Sequence, residues 1–558
     1  MTAIPNVAVS AVHATPRPLV WAQRGLVAAA LVLMLFHFGV YVHYALNLAA
    51  FPFDYDQGEG FELNDTLHYA RGEWPYRDND VYPFYASNYP PLYHIVLSPI
   101  ARIVGPAYWY GRLLSFLSTL IAAAAIAFAV YRDGRVRSVA ILAGLAFLAS
   151  NYVYHIGPLF RQHVNMVMLE TVAVVVLATL TPGKGSRPRL ILGLILLLAA
   201  GYTKQLAVAT VAAVFIWLFL RSMKRAVLWA IAFAAATGII FLAINAATDG
   251  QWLLNTVTAN VNQYILGQFV GLLRQFVGLH GAILIMAIAL VVYELYLDRL
   301  SLYSVWFVAS MANSVLSGKW GAGDSYFITA IGAACLLAGI FTARCMARAW
   351  RLPPDFSVRV AALLGRLRLN MLIGGFAQRL TPLIGALCAA LFVLYGLAVV
   401  KMPLDGPIFG PLGRALNLTS NTKFLHFYDS AGWTMGYSTI GQVPSAEDYA
   451  NGWRIVAAVK DDPRPLLSEE AAFSFNAGKP VITNPTQLLN LYNNNTLDPA
   501  ALIAMIEEQA FGAVIFRARF YPPPVLEAVD RAYAVEQVIP MNGYEYTIMK
   551  PREGYTKP

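Results

Sequence analysis

Long apolar runs recur along most of this 558-residue chain, and they restrict its fold more than any other feature. A run of about 18 or more apolar residues is long enough to cross a bilayer, and a soluble core could not bury so many of them. Hydrophobic residues make up 58% of the sequence and charged residues only 13%. Because a spanning segment must satisfy its own backbone polar groups, the runs predict a polytopic helical membrane protein.

We predict about 11 transmembrane helices from these runs. They are expected at residues 25–49, 108–131, 138–151, 164–180, 189–203, 205–220, 226–246, 276–297, 300–317, 324–343 and 381–401. The stretch 90–105, PPLYHIVLSPIARIVG, is short and rich in proline, so we interpret it as an interfacial or re-entrant helix. The first run is too long for a signal-peptide core and is interpreted as a retained span.

Basic residues between the spans set the predicted orientation. Threading the chain with its N-terminus in the cytoplasm places every basic loop on the cytoplasmic side, as the positive-inside rule requires. These loops contain Arg132, Arg135 and Arg137; Lys184, Arg187 and Arg189; Arg221, Lys224 and Arg225; and Arg344, Arg348, Arg351, Arg359, Arg366, Arg368 and Arg379. We therefore expect a plasma (inner) membrane protein, and the net charge of +9 does not indicate a nucleic-acid partner.

The chain becomes more polar after the last predicted span. We predict a transmembrane domain of residues 1–401, with a first outer loop of residues 51–107, and an extracytoplasmic α/β domain of residues 402–558. In the second domain, AALIAMIEEQAF and PPVLEAVDRAY have the periodicity of helices, and GAVIFR and YEYTIMK that of strands. This domain has no glycine-rich phosphate loop, and we interpret it as a substrate-covering or structural cap.

The first outer loop contains the densest acidic segment of the chain. Asp56 follows the first span closely, and Glu59 comes three residues later, a neighbouring position on a helix. A carboxylate at the outer surface can remove a proton from an acceptor hydroxyl. The alternative is a solvated loop, in which acidic residues are common. Aromatic residues of this loop, such as Tyr89, either stack on a sugar ring or belong to an interfacial belt.

Two other outer segments carry charges beside apolar spans. Lys204 in YTKQ interrupts an apolar stretch and, with Gln205, is a candidate for binding a phosphate; a lysine snorkelling from a helix end is the alternative. In SGKWGAGDSYF, Lys319 and Asp324 flank a glycine-rich turn next to Tyr326. Such a turn permits close approach to a ligand, but an ordinary turn with interfacial aromatics has the same sequence pattern.

The order of these elements resembles the GT-C superfamily of polytopic glycosyltransferases, especially the protein O-mannosyltransferases and the lipid A aminoarabinose transferases. The resemblance rests on DQGEGFELNDTLHYARGEWPYRD after the first span, then YPPLYH, GRLLSFLSTL, the lysine of YTKQ, KWGAGDSYF and an outer C-terminal domain. It implies inverting transfer of a sugar from a polyprenyl-phosphate donor in the bilayer to a hydroxyl of a glycan, lipid or protein acceptor.

The resemblance also assigns residues. It places the catalytic aspartate of the superfamily on Asp56 and a later carboxylate on Glu62. Glu59 has no firm counterpart in the superfamily, and we expect it to help shape the site of Asp56. It places the donor phosphate at Lys204, assisted by Lys319. Residues expected to bind substrate are Lys204, Gln205, Lys319, Asp324, Tyr326, Tyr89 and Arg112.

No metal or other cofactor is predicted. Superfamily members often carry an aspartate at the position of Asn165, and a metal-bridging role for a second carboxylate lacks its residue here. The histidines of the outer segments also lack metal-ligand spacing. They are His68, His94, His155 and His163.

Two other functional classes remain open. A transporter or flippase of lipid-linked glycans would place ionisable residues near the bilayer midplane, often within internal repeats. In this sequence the polar groups lie at the ends of spans. The second alternative is a non-catalytic membrane scaffold with an outer binding domain, which an Asp56→Asn variant would distinguish from an enzyme.

Overall fold

A computed structural model describes residues 16–180, 186–347, 370–399, 415, 427–429, 432–434 and 443–557. The predicted domain boundary at 401/402 lies outside these residues. So do several basic residues used to predict the orientation, namely Lys184, Arg348, Arg351, Arg359, Arg366 and Arg368.

The first 399 residues form helices joined by short loops wherever the structure describes them. The bounds are α1 Arg17–Ala50, α2 Glu59–Ala70, α3 Leu92–Val104, α4 Trp109–Gly134, α5 Arg137–Ala149, α6 Asn151–Ile156, α7 His163–Leu177, α8 Ser186–Thr203, α9 Val208–Arg221, α10 Met223–Ala247, α11 Gln251–Thr256, α12 Leu266–Leu297, α13 Leu302–Asn313, α14 Ile328–Ala347 and α15 Asn370–Val399. Short 3-10 turns lie at Gln205–Ala207, Thr258–Asn260, Ser314–Gly318 and Asp324–Phe327.

Every predicted span coincides with a helix, and the prediction of a polytopic helical membrane protein is confirmed. In the described part of the chain, 6 helices are long and apolar enough to cross a bilayer: α1, α4, α10, α12, α14 with the turn before it, and the end of α15. The other predicted spans fall on α5, α7, α8, α9 and α13, which have 12 to 18 residues. Three helices begin well before the predicted span, namely α1 at Arg17, α12 at Leu266 and α15 at Asn370.

Helix α14 lies at the centre of the bundle, whereas α10 lies at its edge. In α14, 83% of the most apolar window is buried, against 6% in α10. Small residues let neighbouring helices approach α14 closely. A Cβ on Gly339 would lie 2.7 Å from the side chains of Ala143 and Val130. The apolar side chains of α10 are exposed, as expected for a lipid-facing helix.

The C-terminal region is a small α/β unit. It has a four-stranded sheet in the order β3-β4-β6-β5, in which β3 and β4 are parallel and the other pairs antiparallel. The bounds are β1 Phe427–Asp429, β2 Gly432–Thr434, α16 Ala446–Lys460, β3 Leu466–Ser468, α17 Ala471–Asn476, α18 Pro485–Asn493, α19 Ala500–Glu507, β4 Ala513–Phe516, α20 Pro523–Ala532, β5 Tyr533–Met541 and β6 Tyr544–Pro551. All four elements predicted from periodicity are present, whereas β5 was not predicted.

The C-terminal unit packs directly on the segment that follows α1. Phe53 lies against α16, where a Cβ on Gly452 would come within 2.4 Å of its ring. The next residue, Asp54, is fully buried, and its carboxylate accepts hydrogen bonds from the backbone N–H groups of Gly60 (2.5 Å) and Ala472 (3.0 Å). One side chain thus joins the first turn of α2 to the first turn of α17.

Candidate active site

A buried ion pair fixes the start of the first loop. Arg112, near the N-terminus of α4, uses all five of its N–H donors: two bind the carboxylate of Glu59 at 2.9 Å, and three bind backbone carbonyls. The carbonyls belong to Leu48, Phe51 and Phe53, at 2.5, 2.6 and 2.8 Å. Arg112 was predicted to bind substrate, but it has no donor left for a ligand.

Glu59 is equally occupied within the protein. It is fully buried, and besides Arg112 it accepts hydrogen bonds from the backbone N–H groups of Tyr55 (2.9 Å), Asp56 (3.2 Å) and Phe160 (2.6 Å). Burial disfavours its charged form, but Arg112 and these donors outweigh burial and lower the pKa of Glu59. The carboxylate therefore stays ionised and orients the turn that carries Asp56.

Asp56 is held differently. Its Oδ2 accepts from Nε and Nη2 of Arg161, at 2.6 and 2.5 Å. Its Oδ1 is buried and makes no hydrogen bond within the described part of the chain. A buried acceptor without a partner costs free energy, so it marks a position where a donor is expected to bind. The hydroxyl group of a substrate is a hydrogen-bond donor of this kind.

Arg161 also approaches Glu62, whose Oε1 lies 3.4 Å from Nη1. The guanidinium fits against Gly58, where a Cβ would lie 2.3 Å from its nitrogens. The sequence analysis did not identify Arg161. The sequence does contain one indication of its role. Arg161 is an arginine in a loop that the positive-inside rule predicts to be outside, where basic residues are depleted.

Lys204 lies near enough to Arg161 for the two positive charges to repel each other. Its ammonium lies 5.2 Å from the ring centroid of Tyr89 and 5.9 Å from that of Tyr326. These contacts bring together three of the predicted substrate-binding residues. Burial and the repulsion from Arg161 lower the pKa of Lys204 to about 8, and Glu62, Lys319 and Asp56 act on it as well.

The remaining predicted residues make contacts of their own. Lys319 donates to the carbonyl of Asn260, and burial lowers its pKa. The exposed Gln205 donates to the carbonyl of Thr256 at 3.1 Å. Asp324 is buried at the first position of its 3-10 turn. The hydrogen bond of Gln205 thus leads to the end of α11 and not towards Asp56.

Glu62 also belongs to a group of residues that can hold a metal ion. Glu62, Asp65 and His94 each offer one ligand atom, and these atoms lie within 4.8 Å of one another. All three side chains are buried. The sequence analysis predicted no metal, because the histidines lack metal-ligand spacing and Asn165 replaces an aspartate. The fold brings the three residues together from two helices, Glu62 and Asp65 from α2 and His94 from α3.

Comparison with known proteins connects the fold to solved structures. No protein-family model matches the sequence, and no curated protein matches it. The structure is similar to ArnT from Cupriavidus metallidurans in the apo state, with a TM-score of 0.55 and 14% identity over 93% of this chain and 97% of that chain. It is also similar to ArnT bound to undecaprenyl phosphate, with a TM-score of 0.56 and 14% identity over 96% and 98% of the two chains.

A third similar structure is an oligosaccharyltransferase from Archaeoglobus fulgidus in the apo form. Its TM-score is 0.50, with 11% identity over 91% of this chain and 73% of that chain. At such identities the likeness concerns the fold. The fold that the resemblance implied is confirmed at that level, because this chain shares the fold of these solved structures.

Proposed function

We propose that the protein is a membrane glycosyltransferase that moves a sugar from a polyprenyl-phosphate donor to an acceptor hydroxyl. The observation that carries the proposal is the group formed by Asp56, Arg161 and Lys204. It combines a buried carboxylate oxygen without a partner and two cations. The fold is shared with ArnT, which has been crystallised with undecaprenyl phosphate.

In the proposed reaction, the acceptor hydroxyl donates its hydrogen bond to Oδ1 of Asp56. The acceptor oxygen attacks the anomeric carbon while the bond from that carbon to the phosphate oxygen breaks. The proton passes to Asp56, and the polyprenyl phosphate leaves with the electron pair of the broken bond. Attack opposite to the leaving group inverts the anomeric centre. A positioned base of this kind typically contributes about 10²–10⁴-fold.

The two cations have distinct tasks in this proposal. The ammonium of Lys204 makes no hydrogen bond or ion pair with the residues that the structure describes, so it is available for the leaving phosphate. Arg161 is anchored by Asp56 and Glu62 and contributes a fixed positive charge where negative charge develops. Glu59 and Arg112 are positioning residues, because their contacts hold the turn that carries Asp56.

The bundle orientation follows from the same proposal. The site lies at the end of the bundle opposite the basic loops, which we place in the cytoplasm. The donor's prenyl chain then lies in the bilayer and its phosphate on the outer face of the plasma (inner) membrane. The C-terminal unit covers the site from the extracytoplasmic side.

The test is product analysis with purified full-length protein in detergent, supplied with labelled polyprenyl-phosphate sugars and a panel of glycan, lipid and peptide acceptors. Asp56→Asn preserves size and removes basicity, so we expect transfer to fall by about 10²–10⁴-fold. Asp78→Asn is the matched control, since Asp78 is an exposed acid of the same loop. Unchanged transfer by Asp56→Asn would overturn the assignment of the base. With the protein reconstituted in sealed proteoliposomes, translocation of the labelled lipid-linked sugar without product would instead support a flippase.

A further inference from the structure

We propose that Glu62, Asp65 and His94 bind a divalent transition metal, with Zn²⁺ as the first candidate, and that this ion ties α2 to α3. The inference stands apart from the proposed transfer reaction, because it concerns metal binding and stability of the first outer loop. It begins from the geometry of three buried side chains.

The spacing of the ligand atoms fits one ion. Nε2 of His94 lies 3.2 Å from Oε2 of Glu62 and 3.9 Å from Oδ2 of Asp65. Two ligands each about 2.0–2.1 Å from a tetrahedral Zn²⁺ are separated by about 3.3 Å. The separation from Glu62 matches this value, and the separation from Asp65 is longer, so the carboxylate of Asp65 would move towards His94 when an ion binds.

The tautomer of His94 is set by a neighbour. The hydroxyl of Thr66 donates its only hydrogen to the carbonyl of Glu62 at 2.8 Å. Its oxygen therefore accepts from Nδ1 of His94, which lies 3.1 Å away. With the hydrogen on Nδ1, Nε2 points at the two carboxylates, and it makes no hydrogen bond within the described residues. Metal-binding histidines usually have this arrangement, with the second ring nitrogen donating to the protein.

Asp65 is oriented by outer contacts as well. Its Oδ1 accepts from the hydroxyl of Tyr85 at 2.8 Å, and its Oδ2 from that of Ser87 at 2.5 Å. Tyr69 stacks on His94, with an interplanar angle of 9°. Ligands held by hydrogen bonds and packing are typical of a built metal site, whereas a chance group of acids is usually exposed.

The kind of metal follows from the ligands. One imidazole and two carboxylates suit Zn²⁺, and also Mn²⁺ and Fe²⁺, better than Ca²⁺ or Mg²⁺, which take oxygen ligands. Glu62 would link the ion to Arg161 and so to Asp56, which makes the proposed ion a positioning element for the candidate site.

The experiment measures metal content in full-length protein purified in detergent without a histidine tag. We expect about one zinc per chain by elemental analysis, and a strong loss of zinc in His94→Gln and Asp65→Asn. His68→Asn is the matched control, because His68 lies on the same helix α2 and instead contacts Glu73 at 2.9 Å. Its zinc content should equal that of the wild type.

A second measurement uses only wild-type protein, so that the proposal can still be tested if the variants do not fold. Chelator-treated wild-type protein is titrated with ZnCl₂ or CoCl₂, while the melting temperature and the visible absorption of Co²⁺ are followed. We expect Zn²⁺ to raise the melting temperature and Co²⁺ to give the absorption of a tetrahedral site, both saturating at one equivalent. Metal-free wild-type protein whose melting temperature does not respond to Zn²⁺ or Co²⁺ would overturn the proposal and leave His94 as a protonated partner of the two acids.

Discussion

Arg161 binds Asp56 through two nitrogens, and both contacts fall on the same carboxylate oxygen. Nε and Nη2 lie 2.6 and 2.5 Å from Oδ2, and Oδ1 is left without a hydrogen bond among the described residues. The pair joins residues that are 105 positions apart, one between α1 and α2 and the other between α6 and α7. Arginine thus holds one oxygen of Asp56 and sets the direction in which the other oxygen points.

The first prediction concerns this pair. In Arg161→Gln, Asp56 loses its buried partner and the cluster loses a cation, so we expect transfer to fall by at least about tenfold. Arg161→Lys should recover only part of the activity, because an ammonium lacks the planar fork of arginine. The measurement is kcat/KM for the donor. Arg71→Gln, an exposed arginine of the first loop, serves as control. Equal activity of Arg161→Gln and Arg71→Gln would contradict the prediction.

The second prediction distinguishes the structural role of Glu59 from the proposed catalytic role of Asp56. Glu59→Gln leaves the guanidinium of Arg112 without its buried anion, and breaking such a pair typically costs about 3–5 kcal/mol. We expect a clearly lower melting temperature and less folded protein, whereas Asp56→Asn should melt close to the wild type. Thermal unfolding in detergent tests both. An inactive Glu59→Gln that is as stable as the wild type would assign Glu59 to the chemistry.

The third prediction uses the titration of Lys204, whose pKa is lowered to about 8. The ammonium loses its proton as the pH rises through this value, so attraction for the donor phosphate should weaken between about pH 7 and pH 9. Lys204→Arg stays charged over this range and should lose the alkaline decline. In Lys204→Ala, loss of a charge-assisted contact of about 1.5–3 kcal/mol predicts a tenfold to hundredfold weaker donor use. The same alkaline decline in Lys204→Arg would assign the titration to another group.

The fourth prediction concerns orientation. The chain's own cysteines, Cys335, Cys345 and Cys388, are buried, so introduced cysteines can be read separately. Lys460→Cys, exposed at the end of α16, should react with an impermeant maleimide in intact cells. Arg135→Cys, exposed between α4 and α5, should react only after lysis. The reverse pattern would invert the proposed threading.

Periodicity and charge predicted the fold well. Apolar runs identify helices because each must satisfy its own backbone, and every predicted span is a helix. The start of α12 was missed, because the amide-rich residues before position 276 have the pattern of an interfacial segment although the helix begins at Leu266. Strand β5 was missed since its burial does not alternate regularly.

The candidate site was less accessible from the sequence. Lys204 could be found because a charge beside two apolar runs is conspicuous, and Asp56 because it follows the first span. Arg112 has a similar sequence signal, yet its donors all remain inside the protein. Arg161 and His94 acquire their roles only through partners from distant segments, and no local spacing encodes such contacts.

The carboxylate of Asp54 joins the start of α2 to Ala472, a residue 418 positions later. At a synthesis rate of about 5–20 residues per second, Ala472 follows Asp54 after roughly 20–80 s. Throughout that interval the carboxylate of Asp54 lacks the hydrogen bond from the backbone N–H of Ala472, although the first helices have already been synthesised. The order of translation thus delays completion of the candidate site until the helices that support it have been synthesised.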